Sequence, residues 1–162
     1  MSTGSVVIGV GNPYRRDDGI GPAVAAAVAA RHVPGVRVLS CAGEMTQILD
    51  AWTDAGIAVV VDAALVDVAA GGTPGEVRRC GLDEFVEATP FSSHELSLRK
   101  TYELAQALDR APDAVVVVTV AVDDTGHGEG LSPPVAAALP RAVDVVLRIL
   151  IQQSQKSANQ QP

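Results

Sequence analysis

The chain has 162 residues, 12 basic against 19 acidic side chains, a formal charge of −7 and an isoelectric point near 4.8. That length supports one domain with one core, and the acidic balance excludes non-specific attraction to nucleic acid or to an anionic membrane surface. Hydrophobic residues make up 48% of the chain but aromatics only 3%, so the core is expected to be built from small and β-branched side chains.

In chain order, Val6–Val10 is predicted to be a short buried strand that runs into the glycine-rich turn Gly9-Val10-Gly11-Asn12-Pro13. An Ala/Val-rich helix follows, to about Arg31. Pro22 fits that helix only in its first turn, where its missing N–H has no intrahelical role, so the helix should begin near Gly19–Gly21 with Asp17 and Asp18 at its N-terminal end. After the Pro34-Gly35 break, Val36–Leu39 is expected to be a second strand, Met45–Thr53 a helix and Ile57–Val61 a third strand. Continuous apolar runs of this kind suit strands buried on both faces.

The segment Asp62–Pro90 is less regular. Gly71–Gly75 forms a turn cluster, and Glu76–Arg79 suits a short edge strand or a hairpin arm. From His94 to about Leu108 the positions of Leu96, Leu98, Leu104, Ala105 and Leu108 fit a helix; Ala114–Val120 is a strand, and a last helix is expected from about Pro133 to Ile151. Gln152–Pro162 is polar and lacks apolar anchors, so it is expected to be a disordered tail outside a domain spanning 1–151. Strands alternating with helices predict a single-domain α/β fold, a doubly wound and mostly parallel sheet, with ligands bound beyond the carboxyl ends of its strands.

Cys41 and Cys80 are far apart and form no CxxC or Cys/His grouping, so neither a disulfide framework nor a zinc module is indicated. Met1–Ser5 carries no basic region before an apolar run, and the longest apolar stretches are shorter than a membrane span. A soluble cytoplasmic protein without membrane or nucleic-acid partners is therefore expected.

Gly9-Val10-Gly11 after a strand invites a dinucleotide reading, but the third glycine of that fingerprint falls at Tyr14 and no acidic residue closes the second strand; no nucleotide is expected. Asp17 and Asp18 follow the same turn, and an acidic turn points instead to a cation. Each could also cap the helix, accepting its orphan N–H groups. Asp62 follows the apolar run Ile57–Val61, which delivers it to the sheet edge that also receives the Gly11–Asp18 turn. His94 stands where a helix begins, and neutral imidazole is a good ligand for nickel or zinc. His32 and His127 are weaker candidates. A serine hydrolase is not indicated, because no GxSxG elbow is present, and neither cysteine has an activating setting.

Gly9-Val10-Gly11-Asn12, Asp17-Asp18-Gly19-Ile20-Gly21, Val61-Asp62-Ala63, Ser93-His94-Glu95-Leu96 and Gly130-Leu131-Ser132-Pro133, in this order, resemble the successive motifs of the hydrogenase maturation proteases. The resemblance spans about Val6 to Leu150. It implies a five-stranded, phosphorylase/hydrolase-like sheet with helices on both faces. It further implies an endopeptidase that removes the C-terminal peptide of the nickel-loaded large-subunit precursor of a nickel-iron hydrogenase. Asp18, Asp62 and His94 would then be both catalytic and metal-contacting, with nickel supplied by the substrate. Asp17 would orient the turn or cap the helix. The family often carries an Asp-Gly-Gly-Thr-like segment after the second strand, whereas Ser40-Cys41-Ala42-Gly43-Glu44 stands here; Glu44 could supply the carboxylate. A metal-dependent amidase or peptidase of other specificity and a non-catalytic maturation chaperone remain the competing readings.

Overall fold

The computed structural model describes residues 4–88 and 93–160, and the side chains of all of these except 86–88 and 93–97. Five strands, β1 (Gly4–Val10), β2 (Val36–Cys41), β3 (Ala55–Leu65), β4 (Val77–Gly81) and β5 (Ala114–Val122), form a sheet in the order β2-β1-β3-β5-β4. All neighbours are parallel except β4, which lies antiparallel to β5 at one edge. The helices are α1 (Ile20–Ala29), α2 (Met45–Trp52), α3 (Leu82–Ala88), α4 (Ser93–Ala107) and α5 (Pro133–Asn159).

Side chains of successive strand residues point to opposite faces, and the two halves of the core follow this alternation. Val7, Val59, Val61, Val118 and Val120 pack with Ile20, Val24 and Val28 of α1 and with Val135, Val146 and Ile149 of α5. Val6, Ile8, Val10, Ala58, Val60 and Val117 pack on the other face with Ile48 and Trp52 of α2, Phe85 of α3, and Leu98 and Ala105 of α4. This is the doubly wound α/β architecture expected from the alternating pattern.

Three details differ from expectation. The third strand runs to Leu65, four residues beyond the apolar run, because Asp62–Leu65 stay in register with Thr119–Val122 of β5. Leu82–Ala88 forms a helix within the segment expected to be less regular; Leu82 and Phe85, on one side of it, are buried. The polar stretch expected to be a disordered tail instead continues α5 as far as Asn159. Burial on that helix ends at Leu150, so the continuation is an exposed extension beyond the core. Adding residues to a helix already nucleated by packing costs little, and Gln, Lys and Ala are good helix formers.

A candidate active site at the carboxyl edge of the sheet

Asp62 lies inside β3 and is 2% exposed. Alternation from Ala58 and Val60 puts its side chain on the face covered by α2, α3 and α4. One carboxylate oxygen accepts the N–H of Ala63 at 2.9 Å. Thr119, also buried, is its register partner on β5.

The chain leaves β1 beside this position and turns into α1 through a close approach that only glycine permits. A Cβ at Gly21 would stand 2.3 Å from the Val10 carbonyl oxygen and 2.7 Å from that of Val61. Gly11, at φ 146°, has the Asp18 carbonyl oxygen 2.0 Å from where its own Cβ would be. These contacts pull the single 3-10 turn Arg16–Gly19 against β3. Asp18 in that turn accepts the N–H of Asn12 on Oδ2 at 2.8 Å, and its other oxygen makes no hydrogen bond among the described residues. Asp18 and Asp62 are thus delivered to the same edge of the sheet by two adjacent strands.

Asp17 points the other way and is fully buried. Its two oxygens accept the backbone N–H and the hydroxyl of Ser132, each at 2.7 Å. It therefore orients the turn, and with both oxygens engaged by Ser132 it does not cap α1, which has no side-chain cap bond at Gly19, the residue before its start. The turn is clamped from outside as well. Arg16 donates its backbone N–H to Gly128 at 2.9 Å, Asp17 donates its own to the Asp124 carbonyl at 3.1 Å, and Arg16 Nη1 pairs with Asp124 Oδ2 at 2.8 Å. The Gly126 amide and the Arg16 guanidinium hold the Asp124 carboxyl below the usual carboxylate range.

Cys41, at the end of β2, is in register with Val10 and is buried. Burial pushes its thiol up, the amides of Gly43 and Glu44 oppose this, and the carboxylates of Glu44 and Asp62 add to the rise. A neutral thiol is a poor nucleophile, so the residue standing where the family often has an acidic segment supplies no thiolate. Glu44 is exposed at the start of α2.

His94 lies in the first turn of α4, on the Asp62 face of the sheet; its side chain lies outside the described residues. His32 is exposed just beyond the far end of α1, away from this edge, and His127 is exposed in the loop that holds Arg16. Among the described residues no three His, Cys, Asp or Glu side chains are grouped as a metal site. The Ser132 anchor of Asp17 was not identified from the sequence, although the Gly130–Pro133 motif that contains it was; the buried Thr119 carried no signal in sequence.

Residues 24–149 match the family model described as hydrogenase maturation protease. No curated protein sequence matches the chain. Among solved structures, the hydrogenase maturating endopeptidase HybD from E. coli superposes with a TM-score of 0.80 at 24% identity, covering 92% of this chain and 93% of that one. An endopeptidase from Escherichia coli solved in solution gives 0.78 at 25% identity over 92% and 93% of the two chains. The NiFe hydrogenase maturation protease HycI from Thermococcus kodakarensis KOD1 gives 0.69 at 26% identity over 91% and 92%.

Proposed function

The chain belongs to the hydrogenase maturation protease family, and we propose that it is the endopeptidase that removes the C-terminal peptide from the nickel-loaded large-subunit precursor of a nickel-iron hydrogenase. The observation that carries this reading is the buried carboxylate of Asp62 on β3, held at the same sheet edge as the Asp18 turn. Among the described residues neither a nucleophilic serine elbow nor an activated thiol stands beside it, so attack by water directed by carboxylates is the chemistry these residues can supply.

In this reading Asp18, Asp62 and His94 meet the nickel that the precursor already carries. Oxygen and imidazole donors both suit that ion, which would polarise the scissile carbonyl or acidify a bound water. Asp62 is the general base: the Ala63 amide fixes one of its oxygens, so the carboxylate is positioned before substrate arrives. Nickel belongs to the substrate, so cleavage reports on metal loading; no nucleotide takes part. The protein is assigned to the cytoplasm, with the precursor as its partner and with no nucleic-acid or membrane partner. No helix among the described residues is long and apolar enough to cross a membrane.

The test is genetic. Deleting the gene in its own organism should leave a hydrogenase large subunit at its precursor mass, with processing restored by the wild-type gene and not by Asp62→Ala. Full processing of every large subunit in the deletion strain would contradict the assignment.

A further inference from the structure

Asp62, Thr119 and Arg78 stand in one row across three neighbouring strands. Thr119 of β5 is in register with Asp62 on one side and with Arg78 of β4 on the other. Alternation from Val60, Val117 and Cys80 places all three on the same face. Strands lie about 4.8 Å apart, so the row spans about 10 Å, the length of about three extended residues.

A cavity of about 510 Å³ opens over Thr119 and Arg78 of this row and over Ala64, two residues beyond Asp62 on the same face of β3. Ala64, Thr119 and Ala121 floor it, Phe85 of α3 forms a wall, and Arg78 stands at the side away from β3. Small side chains leave room for a main chain to lie against the sheet. Thr119 lines the cavity and is 7% exposed, and its hydroxyl makes no hydrogen bond among the described residues; a polar group with so little access to water gains by meeting a ligand. Among the described residues Arg78 bonds only the neighbouring Glu76, at 3.2 Å, with the two side chains 70% and 47% exposed. A solvent-exposed pair of this type is weak and easily exchanged for another carboxylate.

We infer that this groove binds the precursor's peptide in extended form alongside the scissile bond. The Thr119 hydroxyl meets the peptide backbone, and Arg78 meets a carboxylate about three residues from that bond. The inference rests on the endopeptidase reading of Asp62 and names the part of the protein that selects the sequence around the cut. The span of the row, the unmatched hydroxyl and the cation at the far side of the cavity all fit a peptide that crosses the strands from the Asp62 side to Arg78.

The experiment uses the isotopically labelled full chain and a synthetic peptide spanning the cleavage region of a large subunit from the same genome. Amide shifts on titration should cluster at Ala64, Thr119 and Ala121. Arg78→Glu should weaken the peptide's Kd at least tenfold, and Ala121→Phe should do the same by filling the groove, each with an otherwise native spectrum. With whole precursor, Arg78→Glu should raise KM and leave kcat nearly unchanged. Shifts confined to other surfaces, or an unchanged Kd in both variants, would overturn the inference. Binding is read without cleavage, so the two proposals separate. A filled groove with an uncut precursor refutes the endopeptidase reading alone, and a cut precursor with an unperturbed groove refutes this one alone.

Discussion

Asp17 and Ser132, 115 residues apart, are joined by two hydrogen bonds of 2.7 Å in which one carboxylate accepts both the backbone and the side-chain proton of the residue that opens α5. The carboxylate thereby ties the turn carrying Asp18 to the longest helix of the protein. Asp17→Ala would leave the half-buried Ser132 groups without their acceptor. The expected loss is about 2–4 kcal/mol of stability, since bonds to charged groups contribute ~1.5–3 kcal/mol and orphaned donors add to the cost. Urea denaturation of the wild type, Asp17→Ala and Ser132→Ala checks this, with Ser132→Ala, which loses one bond of the two, the milder change.

Gly21 should tolerate no side chain. Its Cβ would lie inside the contact distance of two strand carbonyls, those of Val10 and Val61, and these are backbone atoms that cannot swing aside. We expect Gly21→Ala to cost about 1–3 kcal/mol or more and to lower activity besides, because the displaced Val61 adjoins Asp62. A variant with native stability and native turnover would show that the two elements separate more freely than their packing indicates.

Both thiols should be slow to react. Burial raises Cys41, and burial with the Glu84 carboxylate raises Cys80. At pH 8 their labelling by a thiol reagent should run about tenfold or more below that of a free cysteine and become fast in denaturant. The sign of the linked stability follows from the raised values. The folded chain keeps these protons where the unfolded chain has lost them, so stability is unaffected below the ordinary thiol range and falls as pH rises through it. Denaturation midpoints at pH 7 and pH 10 measure this, and serine at both positions should remove the part of the decline due to the thiols.

Asp62→Asn keeps the shape of the side chain and removes its charge. Cleavage should fall by about 10²–10⁴, the usual contribution of a general base, while circular dichroism and thermal midpoint stay close to those of the wild type. Retained turnover in the folded variant would remove Asp62 from the chemistry.

The parts of this fold that were legible in sequence were those with a strong local pattern. Apolar runs located β1, β2, β3 and β5, and the position of Pro22 located the start of α1. β4 was marginal because Arg78, Arg79 and Cys80 offer no clean alternation at a sheet edge, and α3 is too short to show a helical period. Asp62 was found, but as a residue after the strand, because the register of Asp62–Leu65 with β5 depends on a partner some 57 positions on. For the same reason Asp17 could be read only as a turn or capping residue: nothing local announces a partner in Ser132. The row Asp62, Thr119 and Arg78 exists only through the pairing of three strands, one of them antiparallel, and such a row has no signature in any single segment.

The most direct measurement is the mass of a purified large-subunit precursor from the same genome before and after incubation with this protein, nickel-loaded and nickel-free side by side, with Asp62→Ala as control. Loss of a C-terminal peptide in the loaded sample alone, and only with the wild type, is the expected result. An unchanged mass in the loaded precursor, or equal loss with Asp62→Ala, would contradict the assignment of a nickel-gated endopeptidase working through Asp62.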